Sequence, residues 1–139
     1  MISSRYAVAV HILTLIALSP DTPMSSEDMA GSIGVHPVMV RSALSQLRKA
    51  GLVQTRQGVA GTQITRPLQE ITLKEVFLAV LEGKTLFSMH DQPNPNCPVG
   101  RNIQGSLEWV FTEATRGMLS TLEGLTLSDV VQDMTQRMS

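Results

Sequence analysis

Residues 26–47 read SEDMAGSIGVHPVMVRSALSQL, and the spacing within this stretch sets the architecture. Ser25, just ahead of it, is placed to cap a helix, and Asp28, three residues on, is placed to return the bond as a capping box does. The helix so started carries Met29, Ala30 and Ile33 inward. It stops at Gly34, the residue that most readily takes the left-handed conformation of a tight helix end. After Val35, the pair His36-Pro37 puts a proline at the first position of the next helix, where its missing N–H costs nothing. Val40, Ala43, Leu44 and Leu47 then recur on the inner side, and Gly51 ends the element. A small residue at a helix crossing, a glycine turn and an apolar-faced second helix are what a helix-turn-helix requires. Plain helical hairpins share these features, so support has to come from the flanks.

Downstream, Leu52 to Thr55 and Gln63 to Thr65 are short runs with β-branched residues around the glycine-bearing segment 57–61, the pattern of a hairpin. Upstream, Tyr6 to Leu18 is an apolar run with Val10, Leu13 and Ala17 on one face and Ile16 beside them. It is shorter than the roughly 20 residues that span a bilayer and is interrupted by His11 and Thr14. No small-x-small cleavage site follows, so it reads as a buried first helix of a cytoplasmic protein with no membrane partner. Thr72 and Glu75 form another capping box, opening a helix with Val76, Phe77, Val80 and Leu81 inward and Gly83 at its end. From Lys84 to Gly100 periodicity disappears and Pro93, Pro95 and Pro98 accumulate. Ile103, Leu107, Val110, Phe111, Ala114, Met118, Leu119 and Leu122 then repeat every three or four residues, a long amphipathic helix. A last helix starts at Thr126, with Asp129 as its capping partner. The openings at Ile71-Thr72-Leu73 and Leu125-Thr126-Leu127 look alike and are read as two similar helix starts, not a repeat. The expected fold is mostly α with a small β-hairpin. A winged helix-turn-helix domain spans 1–83, a loop 84–100, and a helical dimerisation region, dominated by the long helix, 101–139.

Composition narrows the function. With 42% hydrophobic residues and a formal net charge of -1 in 139 residues, the chain is neither disordered nor a globally basic nucleic-acid coat. A single cysteine, Cys97, permits no intramolecular disulfide and no all-cysteine metal centre within one chain, and indicates a reducing compartment. Charge is unevenly spread: six basic side chains face three acidic ones up to residue 66, and five face nine beyond it. From Val40 to Gln69 there is no carboxylate, while Arg41, Arg48, Lys49, Arg56 and Arg66 all fall there. Such a stretch suits a phosphate-binding surface. Counting away from the buried positions, Val38, Met39, Arg41, Ser42 and Ser45 point outward for base edges, with Arg48 and Lys49 further along for phosphates. Aromatic residues are 4% of the chain and sit at core spacings, which disfavours RNA binding by base stacking and favours double-stranded DNA. Nothing resembles a nucleophile with its base, paired carboxylates or a phosphate loop, so an enzyme is not expected. A winged-helix adaptor that binds protein instead of DNA is the rival reading.

Ser4-Arg5-Tyr6-Ala7-Val8, the run Leu44 to Val53 with its Leu47-Arg48-Lys49-Ala50-Gly51-Leu52 core, Gly58-x-x-Gly61 and Ile71-Thr72-Leu73 together resemble the Rrf-type bacterial regulators, the family of IscR, NsrR and CymR. The segment Asn94-Pro95-Asn96-Cys97-Pro98-Val99-Gly100 is similar to the YwnA-like branch. The resemblance implies a homodimeric, DNA-binding transcription factor, most simply a repressor of a near-palindromic operator. It implies recognition by the third helix and wing, and dimerisation through the long helix. The candidate DNA-contact set is Ser4, Arg5, Ser25, Val38, Met39, Arg41, Ser42, Ser45, Arg48, Lys49, Arg56 and Gln57. The candidate dimer residues are Ile103, Leu107, Val110, Phe111, Ala114, Met118 and Leu122.

Several family members hold an iron–sulfur cluster through three cysteines after the fourth helix, whereas this chain has Cys97 alone, so no cofactor or metal is expected. The wing reads Gly61-Thr62-Gln63 where the family usually has a second glycine and an aromatic. Arg41 stands where some relatives carry an acidic residue, so their operators do not transfer. Cys97, near His90 and Asp91, reads either as a redox sensor or as a small residue packed under the loop. A hollow between the winged domain and the long helix would admit a small-molecule effector, although no motif marks one.

Overall fold

The computed structural model describes residues 2–56, 58, 60–90 and 93–139. Six helices and one two-stranded antiparallel sheet run in the order α1 (Ile2–Leu18), α2 (Ser26–Ile33), α3 (Pro37–Lys49), β1 (Val53–Gln54), β2 (Gln63–Ile64), α4 (Leu73–Leu81), α5 (Pro98–Glu123) and α6 (Leu127–Met138). A 3-10 turn, Leu68–Glu70, leads into α4.

The local signals act where the sequence puts them. Ser25 Oγ accepts from the Asp28 N–H and the Asp28 carboxylate accepts from the Ser25 N–H, closing the capping box of α2. Gly34 adopts φ 82°, a conformation a side chain resists, and turns the chain into α3. Pro37 opens α3, capped by His36, whose Nδ1 accepts from the Val38 N–H at 3.1 Å. That nitrogen serves as acceptor only while it carries no proton.

One core holds these elements together. Val8, Ala9, Ile12 and Leu13 of α1 meet Met29 and Ala30 of α2 and Val40, Ala43, Leu44 and Leu47 of α3. Leu52, Val53, Ile71, Val76 and Val80 complete it, and Leu127 of α6 is fully buried there too. Each large apolar side chain so covered contributes about 1.5–3 kcal/mol.

Four features depart from the sequence expectation. α1 begins at Ile2 and not near Tyr6, so Ser4 and Arg5 are helical. The hairpin is two residues per strand, with Val53 opposite Ile64 and Gln54 opposite Gln63. Beyond them Thr65 leaves the strand ladder but still ties back, its N–H to the Leu52 carbonyl and its hydroxyl to the Gly51 carbonyl at 2.7 Å. α5 starts at Pro98, inside the expected loop, because that proline suits a first helical turn, and Cys97 becomes its N-cap. Last, α6 does not stay with α5 but returns to α1, its Leu127 sealing the core.

The return is made by the two look-alike segments. Thr72 and Thr126 lie opposite each other in an antiparallel bridge. The Leu73 N–H donates to the Leu125 carbonyl and the Leu127 N–H to the Ile71 carbonyl, both at 2.9 Å. Each threonine also caps its own helix, so two helix starts are stitched together.

Candidate nucleic-acid interface

α3 presents a sharply divided surface. Its inner side is the buried set Val40, Ala43, Leu44 and Leu47. Gln46, also buried, donates from Nε2 to the Val80 carbonyl at 3.3 Å and ties the helix to the end of α4. The outer side leaves Val38, Met39, Arg41 and Ser42 exposed, with Ser45 half-buried. Val38 is 55% exposed, a large apolar side chain in water at the first turn of a helix whose other face is packed. Arg48 and Lys49 are exposed in the last turn, and Arg56 follows β1, also exposed. Gln57 lies outside the described residues.

The start of α1 shares this surface. Arg5 lines a shallow hollow with Val38, Met39 and Ser42, floored by Val8, Ala43 and Gln46. Ser4 is exposed on the same first turn, whereas Ser25 is committed through its hydroxyl to the cap of α2. The base of the wing rests on the α1–α2 connection. Gly61 has φ 84°, which a side chain resists, and a Cβ there would also crowd Pro23 at 3.2 Å.

Folding redraws the linear charge count. Arg66 is turned away from the basic run: its guanidinium donates to both oxygens of Glu75 at 2.7 and 3.4 Å and to the Glu70 carbonyl. That bonding, chiefly the hydrogen bonds to Glu75, raises its pKa further above the arginine value. Arg41 pairs with Glu27 of α2 at 3.2 Å. Among the described residues, Arg5, Arg48, Lys49 and Arg56 make no ion pair. Both carboxylates come from outside the 40–69 stretch, and the 14 and nine residues that separate each pair hide them from a reading by helical spacing.

The dimer candidates all lie on α5, a 26-residue helix with no buried residue. Ile103, Leu107, Met118 and Leu122 are half-buried, Val110 and Ala114 exposed. Phe111 is satisfied within the chain, stacking on Phe87 with ring centroids 4.8 Å apart. Cys97 is half-buried, and Asp91 lies outside the described residues. Among the described residues no three His, Cys, Asp or Glu side chains come close enough to hold a metal ion.

A glycine-turned pair of helices, the second with a packed inner face and a polar and basic outer one, followed by a two-stranded wing, defines a winged helix-turn-helix protein. Residues 2–133 match the model of the Rrf2 family, described as iron-dependent transcriptional regulators, and the chain belongs to that family. It is a DNA-binding transcriptional regulator. It is 42% identical over 134 residues to YwnA of Bacillus subtilis strain 168, whose name places it among HTH-type transcriptional regulators, covering 96% of this chain and 99% of YwnA. A crystal structure named for a DNA binding protein superposes with a TM-score of 0.73 at 40% identity, covering 91% of this chain and 97% of the other. The fold is also that of T. potens IscR, with a TM-score of 0.66 at 21% identity over 94% and 85% of the two chains. The iron of the family description finds no matching donor set here: Cys97 is the one cysteine of the chain, and a cluster of the three-cysteine kind cannot be ligated by it.

Proposed function

We propose that the chain is a homodimeric repressor that lays α3 in the major groove of a near-palindromic operator, with the wing and the start of α1 on the flanking backbone. The observation that carries this reading is the divided surface of α3. Val38, Met39, Arg41 and Ser42 are exposed at its N-terminal end, where a groove-bound helix reads base edges, while Arg48 and Lys49 are exposed and unpaired among the described residues at the other end. Ser4, Arg5, Ser45 and Arg56 supply further contacts. The second copy is invoked because no residue of α5 is fully buried in a single chain, and a two-fold pair would place two α3 helices about 34 Å apart, one turn of duplex, or a multiple of that. Residues 84–97 then join a DNA-binding unit to the pairing helix. Exclusion of polymerase by the bound dimer is the proposed output. No catalytic role is assigned. A small-molecule effector would sit in the groove between α4 and α5 lined by Leu81, Lys84, Phe87, Phe111 and Leu119. No described helix is long and apolar enough to cross a membrane, consistent with a regulator working beside the chromosome in the cytoplasm.

Fluorescence anisotropy against the upstream duplex of the chain's own gene and an unrelated duplex, at several salt concentrations, tests the reading. The expected result is sequence-selective binding whose log affinity falls with log salt by about 0.9 per phosphate contact. Absence of binding to either duplex at low salt would overturn it.

A further inference from the structure

Glu27 stands beside the recognition surface without helping to build it. The cap of α2 is complete without it, since Ser25 and Asp28 satisfy each other. Its side chain is 67% exposed and its one partner among the described residues is Nη1 of Arg41, at 3.2 Å, whose side chain is 53% exposed. The pair therefore returns a negative charge to the stretch from which the sequence had excluded carboxylates.

We propose that Glu27 is a specificity-determining residue that restrains Arg41 from non-specific phosphate contact and reserves it for a guanine edge; the proposal rests on the reading of α3 as the groove helix. A free arginine on that face would bind whichever phosphate came near and add to affinity for any duplex. Paired, its charge is partly offset before DNA arrives, and a phosphate that approaches it also approaches the Glu27 carboxylate. Guanine meets the pair differently. It offers two acceptors, O6 and N7, matched to a planar guanidinium fork. With Glu27 on Nη1, the edge formed by Nε and Nη2 stays open for both. The carboxylate thus opposes backbone docking while leaving the two-point base contact intact.

Exposed ion pairs have small effects, so a change on the order of two- to fivefold is expected. Binding sites are selected from a randomised duplex library with the wild type, Glu27→Gln and Arg41→Gln, and each protein is titrated by anisotropy against the unselected pool and the most enriched wild-type duplex. Glu27→Gln is expected to bind the unselected pool two- to fivefold tighter, with a salt slope steeper by about 0.9, and the enriched duplex with a smaller change. Its selected motif is expected to lose its guanine preference at the position that Arg41→Gln erases and to keep the others. An unchanged motif with unchanged pool affinity, or a weakening on both duplexes while the thermal midpoint stays within a degree or two of wild type, would overturn the proposal. If the wild type enriches no motif, or Arg41→Gln alters none, the groove reading of α3 fails, and the role of Glu27 with it.

Discussion

At the scale of single residues, the side chains that matter most to the architecture are those whose partners lie far along the chain. Tyr6 donates its hydroxyl to the Leu73 carbonyl at 3.1 Å and meets Phe77 edge-on at 5.2 Å, joining α1 to the start of α4. Burial holds its phenol protonated above the ordinary tyrosine range. The unfolded chain then loses this proton first, so the associated stability is present below about pH 10 and falls as pH rises through the folded value. Tyr6→Phe is expected to cost about 0.5–1.5 kcal/mol at neutral pH and to flatten the alkaline limb of a chemical-denaturation stability profile. An unchanged alkaline limb would show that another group governs it. Glu82 is the one non-glycine among the described residues with a left-handed backbone, at φ 51°. Glu82→Gly relieves that conformation, and a thermal midpoint higher by a few degrees is expected in calorimetry. Arg48→Ala, by contrast, is expected to leave the midpoint unchanged and to reduce the salt slope of DNA binding by about 0.9.

Among elements, legibility in the sequence follows the range of the interaction. The capping boxes of α2 and α6 and the proline start of α3 were readable because donor and acceptor lie within three residues; the box expected at α4 closes on one side only, Thr72 accepting from the Glu75 N–H while the Glu75 carboxylate is taken by Arg66. The inner stripe of α3 was readable because 3.6-residue periodicity is local, and so was the outward set. The hydrogen bond of Gln46 to Val80, the pairing of Arg41 with Glu27 and the diversion of Arg66 to Glu75 were not, since each depends on how elements cross. The hairpin looked longer in sequence because Thr55 and Thr65 are good strand residues; the ladder closes over only two residues a side. The two similar helix openings were visible, but their mutual bridge was not. Thr126→Ala removes a cap that normally contributes about 1 kcal/mol. Combined with Thr72→Ala, the loss in urea unfolding is expected to differ from the sum of the single losses, because neighbouring sites couple.

For the whole molecule, the question is what α5 does with its apolar side. Val110 and Ala114 are exposed in the single chain, so a carboxylate at either costs the protomer little unless a second copy covers it. Val110→Asp with Ala114→Asp is expected to halve the mass measured by light scattering, to keep the helical circular dichroism signal and to lower affinity for an enriched duplex more than tenfold. A mass already equal to one chain in the wild type would refute the dimer.

The stitched helix starts also fix how the chain is threaded. Leu73 and Leu125 are hydrogen-bonded neighbours although 52 positions separate them, so the segment from α4 through α5 leaves and rejoins the body at one point, α4 packing into the core on the way. Tyr6 grips that junction from α1, the helix that also carries Arg5. The connection 84–97 is the part whose length can vary: ten glycine and serine residues inserted after Lys84 would add only about 0.5 kcal/mol of closure entropy. The junction is fixed: Leu125 at the end of α5 holds the Leu73 N–H, and the Leu73 carbonyl holds the Tyr6 hydroxyl, so the end of α5 is joined to α1 through one residue.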